Sequence, residues 1–332
     1  MHRETVTSPG QILDIANAYW RSSALHAAVR LDLFDRLGSQ RKTAGDIALA
    51  ASLHAPSLEL LLNALTAMGL LVKEGDLFAN TEASSLFLCQ GGEGSLTDII
   101  LHHHHLVDGW NQLADAVRSG NAVEMKSFGD EEERRRFLLG MHNLASLNAA
   151  RIVKHVNLSG RRKLLDLGGG PGTYSLAFCL TNPGLHAVIF DRPTSEPYTE
   201  RVRTHPDVAG RIAFVGGDFL HDPLPEGNDV VWVSHILHSL APETCAELLR
   251  KAVATLAGGG QLYVHDFILN DTKAGPLFPA LFSLNMLINN GQGRSYSAGE
   301  LVSLMEESGL HGVHRLSYQG PNDGYILCGS RP

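Results

Sequence analysis

The chain has few cysteines, four in 332 residues (Cys89, Cys179, Cys245, Cys328), far apart and with no C-x-x-C pair. That supplies neither a disulfide framework nor a thiol zinc site, so reduced thiols in a cytoplasmic protein are expected. Charge is sparse as well, at 19% of residues, and acids outnumber bases by 35 to 27 for a formal net charge of −8. A nucleic-acid binder needs a basic face to neutralise phosphates, and this balance argues against one. No apolar run approaches the length of a membrane span, and the stretch from Met1 to Thr5 lacks the apolar core of a signal peptide. What the chain does have is 44% apolar residues. That is enough for two domains with cores of their own.

The first half reads as helical. Ile12, Ile15, Ala16, Tyr19 and Trp20 recur at helical spacing, with further apolar positions through Val29. Thr43 suits the cap of a helix over 44–51, Pro56 the start of another reaching Met68, and Gly75 the turn of a small hairpin. Helix, turn, helix and hairpin suggest a winged helix. Between Arg41 and Leu88 three bases (Arg41, Lys42, Lys73) face five acids (Asp46, Glu59, Glu74, Asp76, Glu82), so protein packing is expected there and DNA binding is not. The run His102 to His105 invites a metal, but consecutive helical residues point about 100° apart and four in a row cannot converge on one ion. The run from Glu131 to Arg136 reads as ion pairs on a solvated helix face.

From Lys163 onward strands and helices alternate. The expected strands are 163–167, 187–191, 212–215, 230–233 and 261–266, then an antiparallel pair, 313–318 and 325–329. A helix is expected over 243–256, ending at Gly258-Gly259-Gly260. An open α/β sheet binds its ligand outside the C-terminal strand ends, so each strand end is a candidate site.

The first strand carries the strongest signal. Asp166 is followed by four glycines in five positions (Gly168, Gly169, Gly170, Gly172), and a helix begins just after them. Bare backbone and helix N–H groups there would face a ligand. A dinucleotide fingerprint counted from Gly168 puts Thr173 where glycine or alanine belongs. An acid beside a pyrophosphate also fits poorly and suits a cationic ligand instead. S-adenosylmethionine has an ammonium, a sulfonium and no phosphate. Asp191, 25 residues after Asp166, can accept hydrogen bonds from both ribose hydroxyls. Gly217-Asp218-Phe219 after the third strand suits adenine, with the acid on the exocyclic amine and the ring over the base. Ser234-His235-Ile236-Leu237-His238 follows the fourth strand and His265-Asp266-Phe267 the fifth.

Together, Asp-x-Gly-Gly-Gly-x-Gly, an acid at the next strand end, Gly-Asp-Phe and His-x-x-His before Pro-Glu resemble the small-molecule O-methyltransferases related to caffeate and acetylserotonin methyltransferases. The resemblance implies an α/β Rossmann-like methyltransferase sheet of order 3-2-1-4-5-7-6 behind an N-terminal winged-helix domain that forms a homodimer. The expected boundaries are 1–105 for that domain, 106–157 for a helical connector and 158–332 for the S-adenosylmethionine-binding domain. It also implies that Asp166, Gly168, Gly169, Gly170 and Gly172 bind the methionine part of S-adenosylmethionine, Asp191 the ribose, Gly217, Asp218 and Phe219 the adenine, and that Ser234 lies beside the cofactor. His238 falls at the family's catalytic base.

A histidine is sensible there. The methyl donor is already activated, so the enzyme must align the nucleophile and remove its proton, which a neutral imidazole can do. Asp266 on the neighbouring strand end could fix the imidazole tautomer. Met141, His142, His235, Asn285, Met286 and Asn289 are candidates for the wall of the acceptor pocket, and no metal is expected. The chain departs from plant-like members in three places. It reads His238-Ser239-Leu240 where they carry His-Asp-Trp, it has Asp266 where they have glutamate, and it has no carboxylate near Gly293 where they have a second glutamate. The expected reaction is methyl transfer to a hydroxyl of a small, largely apolar acceptor of aromatic or polyketide type. Carbon methylation and a non-methylating use of the cofactor stay open. A transcription regulator with a degenerate enzyme domain fits the acidic first half less well.

Overall fold

Ser8 opens the first helix with a capping box: its hydroxyl accepts from the Gln11 backbone N–H, the Gln11 side chain reaches back, and Pro9 stands at the first turn. The computed structural model describes residues 5–92, 94–124 and 130–332. The chain divides into two units, Met1–His105 and Leu106–Pro332. In the first, α1 (Pro9–Asn17) and α2 (Tyr19–Arg30) break the expected single helix at Ala18. Then come α3 (Leu33–Leu37), β1 (Lys42–Thr43), α4 (Ala44–Ala51) and α5 (Ala55–Ala67). The hairpin strands β2 (Leu71–Glu74) and β3 (Leu77–Asn80), α6 (Glu82–Phe87) and α7 (Thr97–Trp110) follow. Thr43 closes a capping box with Asp46, and Gly75 turns the hairpin with φ +57°. The three strands pair in the order β1-β3-β2, and Phe34, Ile47, Leu62, Leu65 and Phe78 fill a core beneath them.

α1 buries nothing. Ile12, Leu13, Ile15, Tyr19 and Trp20 are each exposed by between 59% and 67%. These side chains form an exposed apolar patch across α1 and the start of α2.

The second unit begins with α8 (Leu113–Ser119) and α9 (Glu131–Ile152). Its strands are β4 (Lys163–Leu167), β5 (His186–Asp191), β6 (Ile212–Gly216), β7 (Asn228–Ser234), β8 (Leu256–Phe267), β9 (His311–Gln319) and β10 (Gly324–Ser330). Between them run α10 (Thr173–Thr181), α11 (Glu200–Arg203), α12 (Pro242–Ala254), α13 (Leu277–Asn289) and α14 (Ala298–Glu307). The seven strands lie in the order β6-β5-β4-β7-β8-β10-β9, with β10 antiparallel to both neighbours. Adjacent residues of each central strand feed opposite faces. Leu165, Val231 and Leu262 pack under α12 and α14, while Leu164, Trp232 and Tyr263 pack with Phe178 of α10. The order reverses between β4 and β7, which opens the ligand crevice at their C-terminal ends.

One boundary differs from the sequence expectation. Gly258, Gly259 and Gly260 do not end a helix; they lie inside β8. Backbone bonds join Gly259 N–H to the Arg331 carbonyl and Arg331 N–H to the Gly260 carbonyl, a pairing with a residue 72 and 71 positions away that no local pattern announces.

Candidate active site

The loop after β4 is built on close contacts. Gly168 has φ +70°, and a Cβ there would run into the Ile236 δ-methyl group. A Cβ on Gly169 would press on the Asp166 carboxyl at 2.6 Å. Asp166 therefore sits under the loop, 1% exposed, with the Ser175 hydroxyl donating to Oδ2 at 2.6 Å. Burial raises its pKa to about 6 against the lowering effect of the Ser175 bond, and neighbouring Asp191 adds to the rise. No cationic side chain is among the influences on it from the described residues. On the helix side, His142 Nδ1 lies 2.8 Å from Thr173 Oγ1, tying α9 to the loop.

Asp191 closes β5. Its Oδ2 accepts from Gly170 N–H at 2.7 Å, and its Oδ1 accepts from Arg192 N–H at 2.7 Å and Ser195 Oγ at 2.8 Å. With Oδ1 filled, the lone pair left on Oδ2 can take one further donor. Acceptance from two hydroxyls at once, as the sequence suggested, would require Ser195 or Gly170 to yield. After β6, Asp218 N–H donates to Asp222 Oδ2 and Asp218 Oδ1 accepts from Leu220 N–H, at 2.8 and 2.9 Å. Gly217 leaves room for the Phe190 ring, and Phe219 is half-buried against the core. A cavity of about 470 Å³ opens here, lined by Arg134, Arg192, Pro193, Thr194, Gly216, Gly217, Asp218 and Asp222. The sequence places Arg134 in an ion-paired run on a solvated helix face; it also lines this cavity, while Glu132 holds Arg135 and Arg136.

At the ends of β7 and β8 the histidines converge. Ser234 Oγ and His265 Nδ1 are 2.9 Å apart. A 3-10 turn over Leu237–Ser239 directs His238 inward, 8% exposed, where its Nδ1 meets Asp266 Oδ1 at 2.6 Å. Oδ1 also accepts from Phe267 N–H at 2.8 Å, and Oδ2 from His238 N–H at 3.3 Å. Burial pushes the Asp266 carboxyl up, but His238, through its charge and hydrogen bond, and the nearby His235 outweigh it and hold the group ionised. A carboxylate on Nδ1 keeps the proton at that nitrogen and leaves Nε2 as an acceptor.

The His238 ring lies parallel to Phe267, with centroids 6.1 Å apart, and meets Phe282 edge-on at 4.7 Å, while Phe278 closes the box. Phe278 and Phe282 were missed in the sequence, though their i,i+4 spacing on α13 was a signal. The donor atoms of His235, His238 and Asp266 lie within 4.8 Å of one another. Within this group His238 Nδ1 and Asp266 Oδ1 form the closest pair, at 2.6 Å, with His235 Nδ1 at 3.5 Å from the same oxygen.

Gly293 is closed to side chains, because a Cβ there would strike the His238 carbonyl. Arg294 turns away to Glu300 at 2.9 Å. Asp266 is therefore the carboxylate that serves His238.

Residues 110–311 match the O-methyltransferase domain, and residues 13–90 match the O-methyltransferase dimerisation domain. The chain belongs to this O-methyltransferase family. One relative is the tetracenomycin polyketide synthesis 8-O-methyl transferase TcmO of Streptomyces glaucescens, 30% identical over 98% of each chain. Another is the N,N-dimethyltransferase OxyT of Streptomyces rimosus, 30% identical over 92% of this chain and 91% of that one. Among solved structures, human N-acetylserotonin methyltransferase in complex with S-adenosylmethionine superposes with a TM-score of 0.88 at 26% identity, covering 100% of this chain and 99% of that one.

The cofactor of this methyltransferase is S-adenosylmethionine, and the loop fits it on its own terms. A buried carboxylate with its pKa raised to about 6 is short of positive charge, which a cationic cofactor supplies. The remaining sequence candidates are partly engaged already. Trp110 Nε1 donates to Asn285 Oδ1 at 3.2 Å, and Asn289 Nδ2 donates to the Asn285 carbonyl at 2.7 Å. Asn289 Oδ1 is buried with no partner among the described residues, Met286 is buried, and Met141 is half-buried on α9. His142 engages Thr173 through Nδ1. The ring nitrogens of His102 to His105 form no metal-sized group among the described residues, and burial lowers the His102 pKa to about 4.

Proposed function

We propose that this methyltransferase acts on a hydroxyl of a small, largely apolar acceptor of aromatic or polyketide type, with His238 as general base and Asp266 as its orienting carboxylate. The observation that carries this reading is the 2.6 Å His238–Asp266 pair, with the Phe267 and Phe282 rings against His238 and Phe278 packed on both of them. Bound S-adenosylmethionine supplies an electrophilic methyl group. The chain's own work is to exclude water, stack a flat acceptor among Phe267, Phe278 and Phe282, and take its hydroxyl proton at Nε2 of His238. Asp266 then stabilises the imidazolium that results. General-base help of this kind is worth roughly 10²- to 10⁴-fold.

The glycine loop and Asp166 serve the methionine moiety in this reading, with Asp191 at the ribose, Gly217, Asp218 and Phe219 at the adenine, and Ser234 alongside. Residues 106–157 form the connector that brings Met141 and His142 to the site. The N-terminal unit, read as a winged-helix module, pairs two copies of the chain through the exposed apolar face of α1 and the start of α2.

OxyT supports a second reading, a nitrogen acceptor, which the same base would serve. The test is incubation with methyl-labelled S-adenosylmethionine and a panel of phenols and arylamines, the product being located by mass spectrometry and NMR. Label on oxygen is expected; label on nitrogen alone replaces the hydroxyl reading with the second one.

A further inference from the structure

His235 stands three residues before the base and on the same carboxylate. Its backbone has φ +56°, a left-handed conformation that a histidine adopts at a cost, and its N–H is pinned to the His265 carbonyl at 2.9 Å. Its Nδ1 is enclosed, has no well-formed hydrogen bond among the described residues, and lies 3.5 Å from Asp266 Oδ1. That is the oxygen that holds His238 Nδ1 at 2.6 Å. The His235 ring is wedged edge-on to His265 at 4.5 Å and against Phe267 at 4.4 Å, so it cannot swing away cheaply.

We propose that His235 is a positioning residue: it shares the Asp266 carboxylate with His238 and thereby sets how firmly the base holds its proton. The inference rests on the reading of His238 as the base. One negative charge faces two imidazoles whose centroids are 5.9 Å apart. Positive charge on both rings would crowd like charges around a single carboxylate, so the two imidazoles compete for it. The other groups facing His235 add no competing charge. Burial keeps His265 neutral, with Nδ1 on Ser234, and keeps the Tyr174 and Tyr318 phenols beside it protonated. Cys245 nearby stays a thiol, its pKa raised to about 11 by burial, and Arg294 is paired with Glu300.

The test is the pH profile of kcat/KM for the wild type, His235→Asn and His238→Ala on an acceptor the wild type methylates. Asparagine tolerates a left-handed backbone and cannot titrate. The wild type should show a shallow acid limb spread over two protonations. His235→Asn should show a single-proton limb moved to higher pH by about half a unit, so that its relative kcat/KM on that limb falls roughly threefold. A limb that stays put, or moves to lower pH, overturns the role of His235 while leaving the base reading intact. Wild-type activity in His238→Ala overturns the base reading itself. Should His235→Asn fail to fold, NMR titration of the wild-type histidine rings decides: two inflections shared by His235 and His238 support the coupling, and independent single inflections refute it.

Discussion

Replacing Asp166 with asparagine should make the cofactor-free protein more stable and its grip on S-adenosylmethionine weaker. The carboxyl is 1% exposed and its pKa is raised from 3.8 to about 6, chiefly by burial. An acid whose folded pKa is raised binds its proton more tightly in the native state, so stability is highest below the unfolded pKa and falls as pH rises toward 6. Above pH 6 the ionised group costs about 3 kcal/mol, at 1.36 kcal/mol per pKa unit. Asparagine removes that cost, which is already net of the Ser175 bond to the ionised form, and keeps an oxygen for the Ser175 hydroxyl. The net gain near pH 7.5 is about 3 kcal/mol, which corresponds to roughly 6–12 °C in the melting temperature of a domain this size. At pH 4 the two proteins should melt together. A cation beside the wild-type carboxylate would restore its ordinary pKa, so cofactor binding should tighten as pH rises from about 4 to 6 and level off above that. In Asp166→Asn that pH dependence should vanish and affinity should drop by about ten- to a hundredfold. Thermal melts with and without cofactor across pH 4–8, with calorimetry at pH 7.5, read both effects. A variant less stable at pH 7.5, or one that binds the cofactor as tightly as the wild type, would refute the reasoning.

Two further outcomes follow from the packing. Gly293→Ala places a Cβ against the His238 carbonyl. It should lower kcat by at least tenfold with little change in cofactor affinity, measured by steady-state kinetics beside calorimetry. Glutamate at both Ile12 and Trp20, which are 60% exposed, should convert a dimer to a monomer in sedimentation analysis without lowering the melting temperature of either unit by more than a degree or two. A wild type that sediments as a monomer would count against the pairing surface.

The parts of this protein that were legible in the sequence are those written in contiguous residues. The apolar strand, Asp166 and the glycines announce a loop wrapped on a ligand because each glycine answers a local demand of backbone or space. The strand-end positions of His238 and Asp266 could be paired because β7 and β8 are neighbours in the sheet order. What escaped depends on distant residues. Trp110 takes the oxygen of Asn285, Thr173 engages His142, and Arg134 lines a cavity beside Asp218. The missing second carboxylate looked like a loss of chemistry in the sequence, whereas the structure gives a steric reason: the His238 carbonyl fills the space where that side chain would begin.

The central claim is that His238 removes the acceptor's proton and takes no part in holding the cofactor. Single-turnover methyl transfer by His238→Ala, with saturating S-adenosylmethionine, tests it most directly when paired with calorimetry of cofactor binding. The account predicts a rate about 10²- to 10⁴-fold below wild type with cofactor affinity within about twofold. A rate within about threefold of wild type would contradict it.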